Sequence, residues 1–239
     1  MKKLLLPLLF VLFAFSPAKA DAPRLTVLEL FTSQGCSSCP PADAILKTMR
    51  DRPGILTLSW PVDYWDRLGW EDTFAAPYNT MRQTAYNKRF GRGGVFTPQL
   101  ILDGSVQCIG SKMEKVRKNV AKARARTRID ITPEMSISGN QLTVTLPEST
   151  DAKMIAVRVV WYLSDAEVAI GEGENEGRTL HYTNVVRATD LLDEWKGQQR
   201  TYTIDLGTGI DAGADNVAIL LQEEYGHGAI IGANHMPIS

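Results

Sequence analysis

The sequence predicts an α/β unit with the element order β-α-β-α-β-β-α, followed by an all-β, sandwich-like unit. Apolar and β-branched residues at 25–31 and 55–60 indicate buried strands. Apolar residues at helical spacing predict helices within 42–49 and 113–123. Beyond residue 128, eight short strand candidates are separated by turn residues, which is typical of a β-sandwich. The change of pattern predicts two domains.

The remaining elements are predicted from turn and helix-start residues. Pro77 suits the opening turn of a helix that runs to Gly91. Residues 99–103 and 105–109 are two strand candidates joined by a glycine, which predicts a hairpin before the last helix of the first unit. In the second unit, residues 188–195 are the one helix candidate.

The N-terminus has the pattern of a secretory signal peptide. Two lysines follow Met1, an apolar run covers 4–15, and a small-x-small site ends at Ala20. The apolar run is too short to span a bilayer, although a retained anchor is the alternative reading. We therefore predict a signal peptide over 1–20 and a periplasmic or secreted mature protein without a membrane anchor.

Charge is unevenly divided along the chain. Residues 21–128 hold 17 Lys and Arg against 10 Asp and Glu, whereas 129–239 hold 6 against 17. This asymmetry supports a boundary near Arg128 between a domain of 21–128 and a domain of 129–239. The basic stretch 112–128 is interleaved with apolar residues, which favours a solvated helix face over nucleic-acid binding. We expect the acidic loop 172–176 to dock against it.

Cys36-Ser37-Ser38-Cys39 is the motif that carries chemistry. Such a pair can be redox-active, half of a zinc site, or an inert disulfide. The motif follows a strand and opens a helix, so free amides and the helix dipole would stabilise a thiolate on Cys36. Cys36 is therefore the expected attacking thiol and Cys39 the resolving thiol.

Together with Thr97-Pro98 before the hairpin, this arrangement resembles thioredoxin and its relatives. The segments ELFTSQGCSSCPPAD (29–43) and VDYWDRLGW (62–70) are similar to a family of exported bacterial thioredoxin-like proteins of unassigned function. The resemblance implies that Pro98 is cis and lies against the cysteine pair. It also implies that Thr97 offers backbone hydrogen bonds to a substrate.

The same resemblance suggests a role for Glu29. Thioredoxins carry a buried acid on the strand before the motif that helps to move protons, and Glu29 occupies a similar place. The alternative is an edge-exposed strand residue. The Ser-Ser dipeptide between the cysteines lacks the histidine of strong oxidants, so a very oxidising potential is not indicated.

The aromatic loop that contains Tyr64 and Trp65 is either a packed lid or a wall that binds substrate beside Cys36. Cys108 is either a small buried residue on a hairpin strand or a further thiol in a mixed disulfide. Neither a metal nor a cofactor is expected. Three scattered histidines could form a metal site only if the fold brought them together: His181, His227 and His235.

These observations favour a thiol–disulfide oxidoreductase that exchanges disulfides with protein or small-molecule partners. One alternative is a metal-binding, perhaps copper-handling, protein that uses the same pair. A second is an adaptor in which the disulfide is inert. The sequence does not specify the oligomeric state, the substrate or the direction of exchange.

Overall fold

The computed structural model describes residues 24–125 and 131–238. The predicted signal peptide and the predicted boundary at Arg128 lie outside the described residues. Two prolines occupy the first positions of the helix after the cysteine motif, where their missing N–H groups leave no hydrogen bond unmade. The elements of the first half are β1 (Thr26–Thr32), α1 (Pro40–Arg50), β2 (Ile55–Pro61), a 3-10 helix (Asp66–Leu68), α2 (Pro77–Arg89), β3 (Gln99–Leu102), β4 (Val106–Ile109) and α3 (Met113–Arg124).

The second half is mostly strand. Two of its strands are long, and the sequence pattern predicts each of them as two shorter elements. Its elements are β5 (Glu134–Ser138), β6 (Gln141–Leu146), β7 (Ile155–Ala169), β8 (Thr179–Trp195), β9 (Arg200–Asp205), α4 (Gly207–Asp211), β10 (Asn216–Gln222), α5 (Glu223–Gly226) and β11 (Ile230–Pro237). The helix predicted over 188–195 is wrong. This segment is the last part of β8 and pairs with the start of β7, so ladder pairing overrides its helical pattern.

One eight-stranded sheet runs through both halves of the chain. Its order is β11-β10-β7-β8-β2-β1-β3-β4. β1 is parallel to β2 and antiparallel to β3, and β2 meets β8 through the parallel pair Ser59 and Val185. The sequence predicts a β-sandwich-like domain that is separate from the first domain, with a boundary near residue 128. In the structure, four strands of the second half instead extend the first sheet.

The three strands β5, β6 and β9 form a second sheet. Its apolar side chains share a buried core with β7 and β10, including Val144, Trp161 and Ile219. A second core joins the two halves, since Phe31 and Trp60 of the first half pack in one cluster with Val160 of the second.

The loop between β3 and β4 fits closely against the second half. Gly104 has a φ of 62°, and a Cβ there would lie 2.0 Å from the carbonyl oxygen of Gly228. The N–H of Ile230 donates to the carbonyl of Asp103 at 3.0 Å. Only a residue without a side chain fits at this junction. Within 24–125 and 131–238, no helix is both long enough and apolar enough to cross a membrane.

Candidate active site

The cysteine pair lies on the connection between β1 and α1. Successive turns wind this connection, with the N–H of Cys36 donating to Ser33 and the N–H of Cys39 donating to the carbonyl of Cys36. Cys39 precedes Pro40 directly, so it stands at the helix N-terminus. Both cysteines are free thiols and both are buried, with Cys36 only 1% exposed.

Hydrogen bonds lower the pKa of Cys36 to about 7. The side chain of Cys39 has the largest effect, and the Thr97 hydroxyl and the amides of Ser38 and Cys39 act in the same direction. Burial opposes them, because a charged group loses hydration there. About half of the Cys36 thiols are thus ionised near neutral pH.

Cys39 has the opposite environment. Burial raises the pKa of Cys39 far above its ordinary value, and the hydrogen bond to Cys36 and the charges of Cys36 and Asp43 raise it further. The two thiols therefore differ in their surroundings, which favour the thiolate of Cys36 and the protonated form of Cys39.

Asp43 is the carboxyl group that the structure brings to the pair. It lies one turn beyond Cys39 on α1, and its N–H donates to the Cys39 carbonyl. The Thr32 hydroxyl donates to its Oδ2 at 3.3 Å, whereas its buried Oδ1 has no hydrogen bond among the described residues. Burial raises the pKa of Asp43 well above its usual range, and the nearby charges of Cys36 and Asp72 add to this.

Tyr182, on β8, is a second buried group near the pair. Burial raises its pKa, and so do the charges of Asp43, Asp72 and both thiols. Its hydroxyl has no hydrogen bond among the described residues. The sequence analysis missed Asp43 and Tyr182. An acid four residues after Cys39 was a usable signal for Asp43, but nothing local indicates Tyr182.

Thr97 and Pro98 lie on the other side of the pair. The peptide bond between them is cis, as the resemblance implied. The indole N–H of Trp65 donates to the Thr97 hydroxyl at 2.9 Å, and that hydroxyl bonds to Cys36. Tyr64 is half-buried beside them, and burial raises its pKa to about 12. Tyr64 and Trp65 therefore lie near Cys36, a position that suits both the packed lid and the substrate-binding wall that the sequence leaves open.

Gln34 joins the connection between β1 and α1 to the long loop after β2. Its backbone N–H donates to Asp72 at 2.8 Å, and its side-chain oxygen accepts the indole N–H of Trp70 at 2.9 Å. Gln34 is fully buried, as is the carboxylate-bearing Asp72. The long loop after β2 is thus packed against the cysteine connection over much of its length.

The turn between β7 and β8, which we call the hairpin tip (171–178), reaches across from the second half and is hydrogen-bonded to the backbone of the cysteine motif. The side-chain amide of Asn175 donates to the carbonyls of Gln34 and Cys36, at 2.9 and 3.0 Å. Glu174 accepts the N–H of Ser37 at 3.0 Å. Asn175 is fully buried, although its sequence context reads only as an acidic loop.

The sequence predicts that the acidic loop 172–176 docks on the basic stretch 112–128. The structure places this loop against the cysteine motif instead. Glu174 contacts the cysteine motif, and no ion pair within the described ranges joins loop 172–176 to α3. The hydrogen bond from Ser37 lowers the pKa of Glu174. Because the β7–β8 hairpin is long, its tip lies at the cysteine motif and not on the basic face of α3.

Glu29 has a different environment from the one expected. It is fully buried on β1, so it is not an edge-exposed residue, and it forms an ion pair with Arg82 at 2.7 Å. Its other oxygen accepts the Tyr86 hydroxyl, and Arg82 also bonds to Gln222 and to the Gly226 carbonyl. Glu29 therefore joins the two halves of the chain through Arg82, and Asp43 is the acid beside the thiols.

Cys108 is half-buried on β4 and packs against the core formed by α1, α3 and the sheet. Burial raises the pKa of its thiol, which makes it less reactive at neutral pH. Among the residues that the structure describes, no group of three or more His, Cys, Asp and Glu side chains could hold a metal ion. His181 pairs with Glu167, and His235 bonds to Tyr162.

Comparison with known proteins places this arrangement in a family. Residues 27–222 match the family described as Protein of unknown function (DUF1223). The chain belongs to this family. No curated protein matches the chain.

Solved structures resemble the DUF1223 chain over most of its length. A protein from Agrobacterium tumefaciens is 29% identical, with a TM-score of 0.80, and the alignment covers 92% of this chain and 97% of that one. HBP35 of Porphyromonas gingivalis is 16% identical, with a TM-score of 0.61, and covers 92% of this chain and 76% of its own. The second likeness is one of fold alone.

Proposed function

We propose that the chain is a thiol–disulfide oxidoreductase on a thioredoxin-like framework, exported to the periplasm or beyond. The observation that carries this proposal is the environment of Cys36. Its thiol receives hydrogen bonds from Cys39, Thr97 and two helix amides, and its pKa is about 7. A structural cysteine pair has no need of groups that favour the thiolate.

The framework supports the same proposal. Strands β2, β1, β3 and β4 lie side by side, with α1 opening at the motif and a cis proline before β3. The N-terminal pattern of basic start, apolar run and small-x-small site supports export. Disulfide exchange is chemistry that suits an oxidising compartment.

In the proposed reaction, the Cys36 thiolate attacks one sulfur of a substrate disulfide. A mixed disulfide forms and the first substrate thiolate leaves. Cys39 then loses its proton and attacks the Cys36 sulfur, which forms the Cys36–Cys39 disulfide and releases the second thiolate. Two electrons pass to the substrate. The Cys39 proton, and one proton from solvent in place of the one that Cys36 lost on ionising, appear on the product thiols. The reverse sequence oxidises a substrate dithiol.

Asp43 is the proposed acceptor of the Cys39 proton. When Cys36 enters the mixed disulfide, its thiolate charge disappears, and one cause of the raised Asp43 pKa disappears with it. The carboxylate therefore becomes easier to form at the moment when Cys39 must ionise. A group whose pKa is shifted towards neutral pH is suited to this transfer.

The reduction potential of the pair tests the proposal. The mature protein is equilibrated with glutathione buffers, and its thiol state is measured with an alkylating reagent. We expect a potential between about −120 and −270 mV, the range of exchange proteins. A potential below about −300 mV is typical of structural disulfides and would leave an adaptor as the better reading.

A further inference from the structure

The hairpin tip is bonded to the backbone of the motif, beside a thiol that is almost fully buried. Ser37 and Ser38 are exposed, but Cys36 between the tip and the helix is 1% exposed. A disulfide substrate has to approach along the line of the new S–S bond. A folded protein brings a broad surface with its disulfide, whereas a small disulfide needs little space.

The bonds that hold the tip are made to backbone atoms of the motif rather than to its sulfurs. Asn175 donates to two carbonyls, Glu174 accepts one N–H, and Arg178 donates to the Asn175 side-chain oxygen at 2.7 Å. The tip can therefore shift without a change in the thiols. Gly173, with a φ of 85°, lies against the Trp70 side chain and gives the tip its close fit.

An open groove of about 340 Å³ lies beside this motif, between α1 and the start of β8. This volume is that of a small-molecule site. Its lining includes Pro40, which follows Cys39 directly, and Asp43, together with the cations Lys47 and Arg178. Arg178 therefore belongs both to the groove and to the bonds that hold the tip.

The charges of the groove favour an anion. Lys47 and Arg178 are cations, and His181, which also lines the groove, pairs with the exposed Glu167. Asp43 is the acid of the lining, and burial raises its pKa well above its usual range, which disfavours its charged form. The exposed carboxylates of the tip, Glu172, Glu174 and Glu176, do not line the groove. A substrate carboxylate would meet two cations there, and the fixed charges would draw it towards the pair.

We propose that the hairpin tip and this groove select small disulfides that carry carboxylate groups, and that the tip excludes disulfides of folded proteins. This inference rests on the proposed function, since it names the substrate class of the same site. The exchange is the one written above, with the small disulfide reduced to two thiols while the cysteine pair is oxidised.

Stopped-flow oxidation of the reduced mature protein tests the inference with three probes. Glutathione disulfide is the anionic probe, cystamine is a smaller, cationic probe, and insulin with its native disulfides is the protein probe. Asn175→Ala removes the two hydrogen bonds that join the tip to the motif and the one that Arg178 donates to Asn175, so we expect about tenfold faster reaction with insulin. The reaction with glutathione disulfide should change by less than about threefold. Asn140→Ala, on the distant β5–β6 turn, is the control.

Two further variants keep the test decisive if Asn175→Ala folds poorly. Glu174→Ala alters an exposed side chain and should increase the rate of reaction with insulin about threefold. Lys47→Glu reverses a charge in the groove. It should decrease the rate of reaction with glutathione disulfide about fivefold relative to the rate with cystamine. Lys122→Glu, an exposed lysine of α3, is its control.

Equal effects on all three probes would overturn the inference but not the proposed function. The exclusion by the tip fails if Asn175→Ala and Glu174→Ala leave the insulin rate unchanged. The anion site fails if Lys47→Glu affects glutathione disulfide and cystamine alike. If no probe reacts faster with the wild type than with Cys36→Ser, the proposed function itself is overturned.

Discussion

Thr97→Val isolates one of the groups that stabilise the Cys36 thiolate. Valine matches the shape of threonine but lacks the hydroxyl that bonds to Cys36 and accepts the Trp65 N–H. A hydrogen bond to a charged group contributes about 1.5–3 kcal/mol. The Cys39 side chain and two amides remain, so we take the lower end, which corresponds to about one pKa unit.

The Cys36 pKa should therefore rise from about 7 towards about 8. At pH 7 the thiolate fraction would fall from about one half to about one tenth, and alkylation would slow about fivefold. Because the thiolate fraction increases with pH, the rates of the two proteins should converge above about pH 9.

The measurement is the rate of iodoacetamide alkylation of reduced protein from pH 5 to 10, with modified Cys36 quantified by mass spectrometry. Thr84→Val is the matched control, since its exposed hydroxyl donates only to a carbonyl within α2. An alkylation pKa that moves by less than about 0.3 in Thr97→Val would show that this hydroxyl does not stabilise the thiolate.

Four further outcomes are expected. Arg82→Leu leaves the buried carboxylate of Glu29 unpaired and should lower the free energy of unfolding, measured in urea, by about 3–5 kcal/mol. Arg89→Leu breaks an exposed ion pair and should lower it by only about 0–1 kcal/mol. Similar losses in the two variants would refute the importance of the buried ion pair. Asp43→Asn should slow the resolving step about 100-fold, so that quenched samples accumulate the mixed disulfide by mass spectrometry, and unchanged closure would remove Asp43 from the mechanism. The same variant should gain stability over wild type as pH rises above about 4, because the raised folded-state pKa makes Asp43 ionisation unfavourable to the fold. Gly104→Ala should lower stability by at least about 2 kcal/mol in thermal unfolding, and an unchanged melting temperature would contradict the close junction with the second half.

The first half shows how far local pattern reaches. The expected strands and helices all occur, with ends that differ by a few residues. The cis Thr97–Pro98 bond also agrees with the resemblance. Residue pattern is informative here because β1 and β2 are apolar and buried, and Pro40 and Pro77 start α1 and α2.

The second half shows where this reasoning fails. Residues 188–195 have a helical pattern but pair with β7, and the strands expected in a separate sandwich extend the first sheet through β8. The choice between helix and strand was made by partners that are distant in sequence. Charge patterning failed for a similar reason, since a long hairpin carries the acidic loop to the cysteine motif.

The sequence by itself determined the cysteine pair and its predicted place between a strand and a helix, and the resemblance added Thr97. Only the tertiary structure decided that Tyr64 and Trp65 lie near Cys36. It also decided which acid lies beside the pair, because Glu29 is paired with Arg82 whereas Asp43 lies next to Cys39. The bond from Asn175 to the Cys36 carbonyl, between residues 139 positions apart, likewise depends on the fold. Local spacing fixes what lies on one element, whereas burial, pairing and protonation depend on groups that only folding brings together.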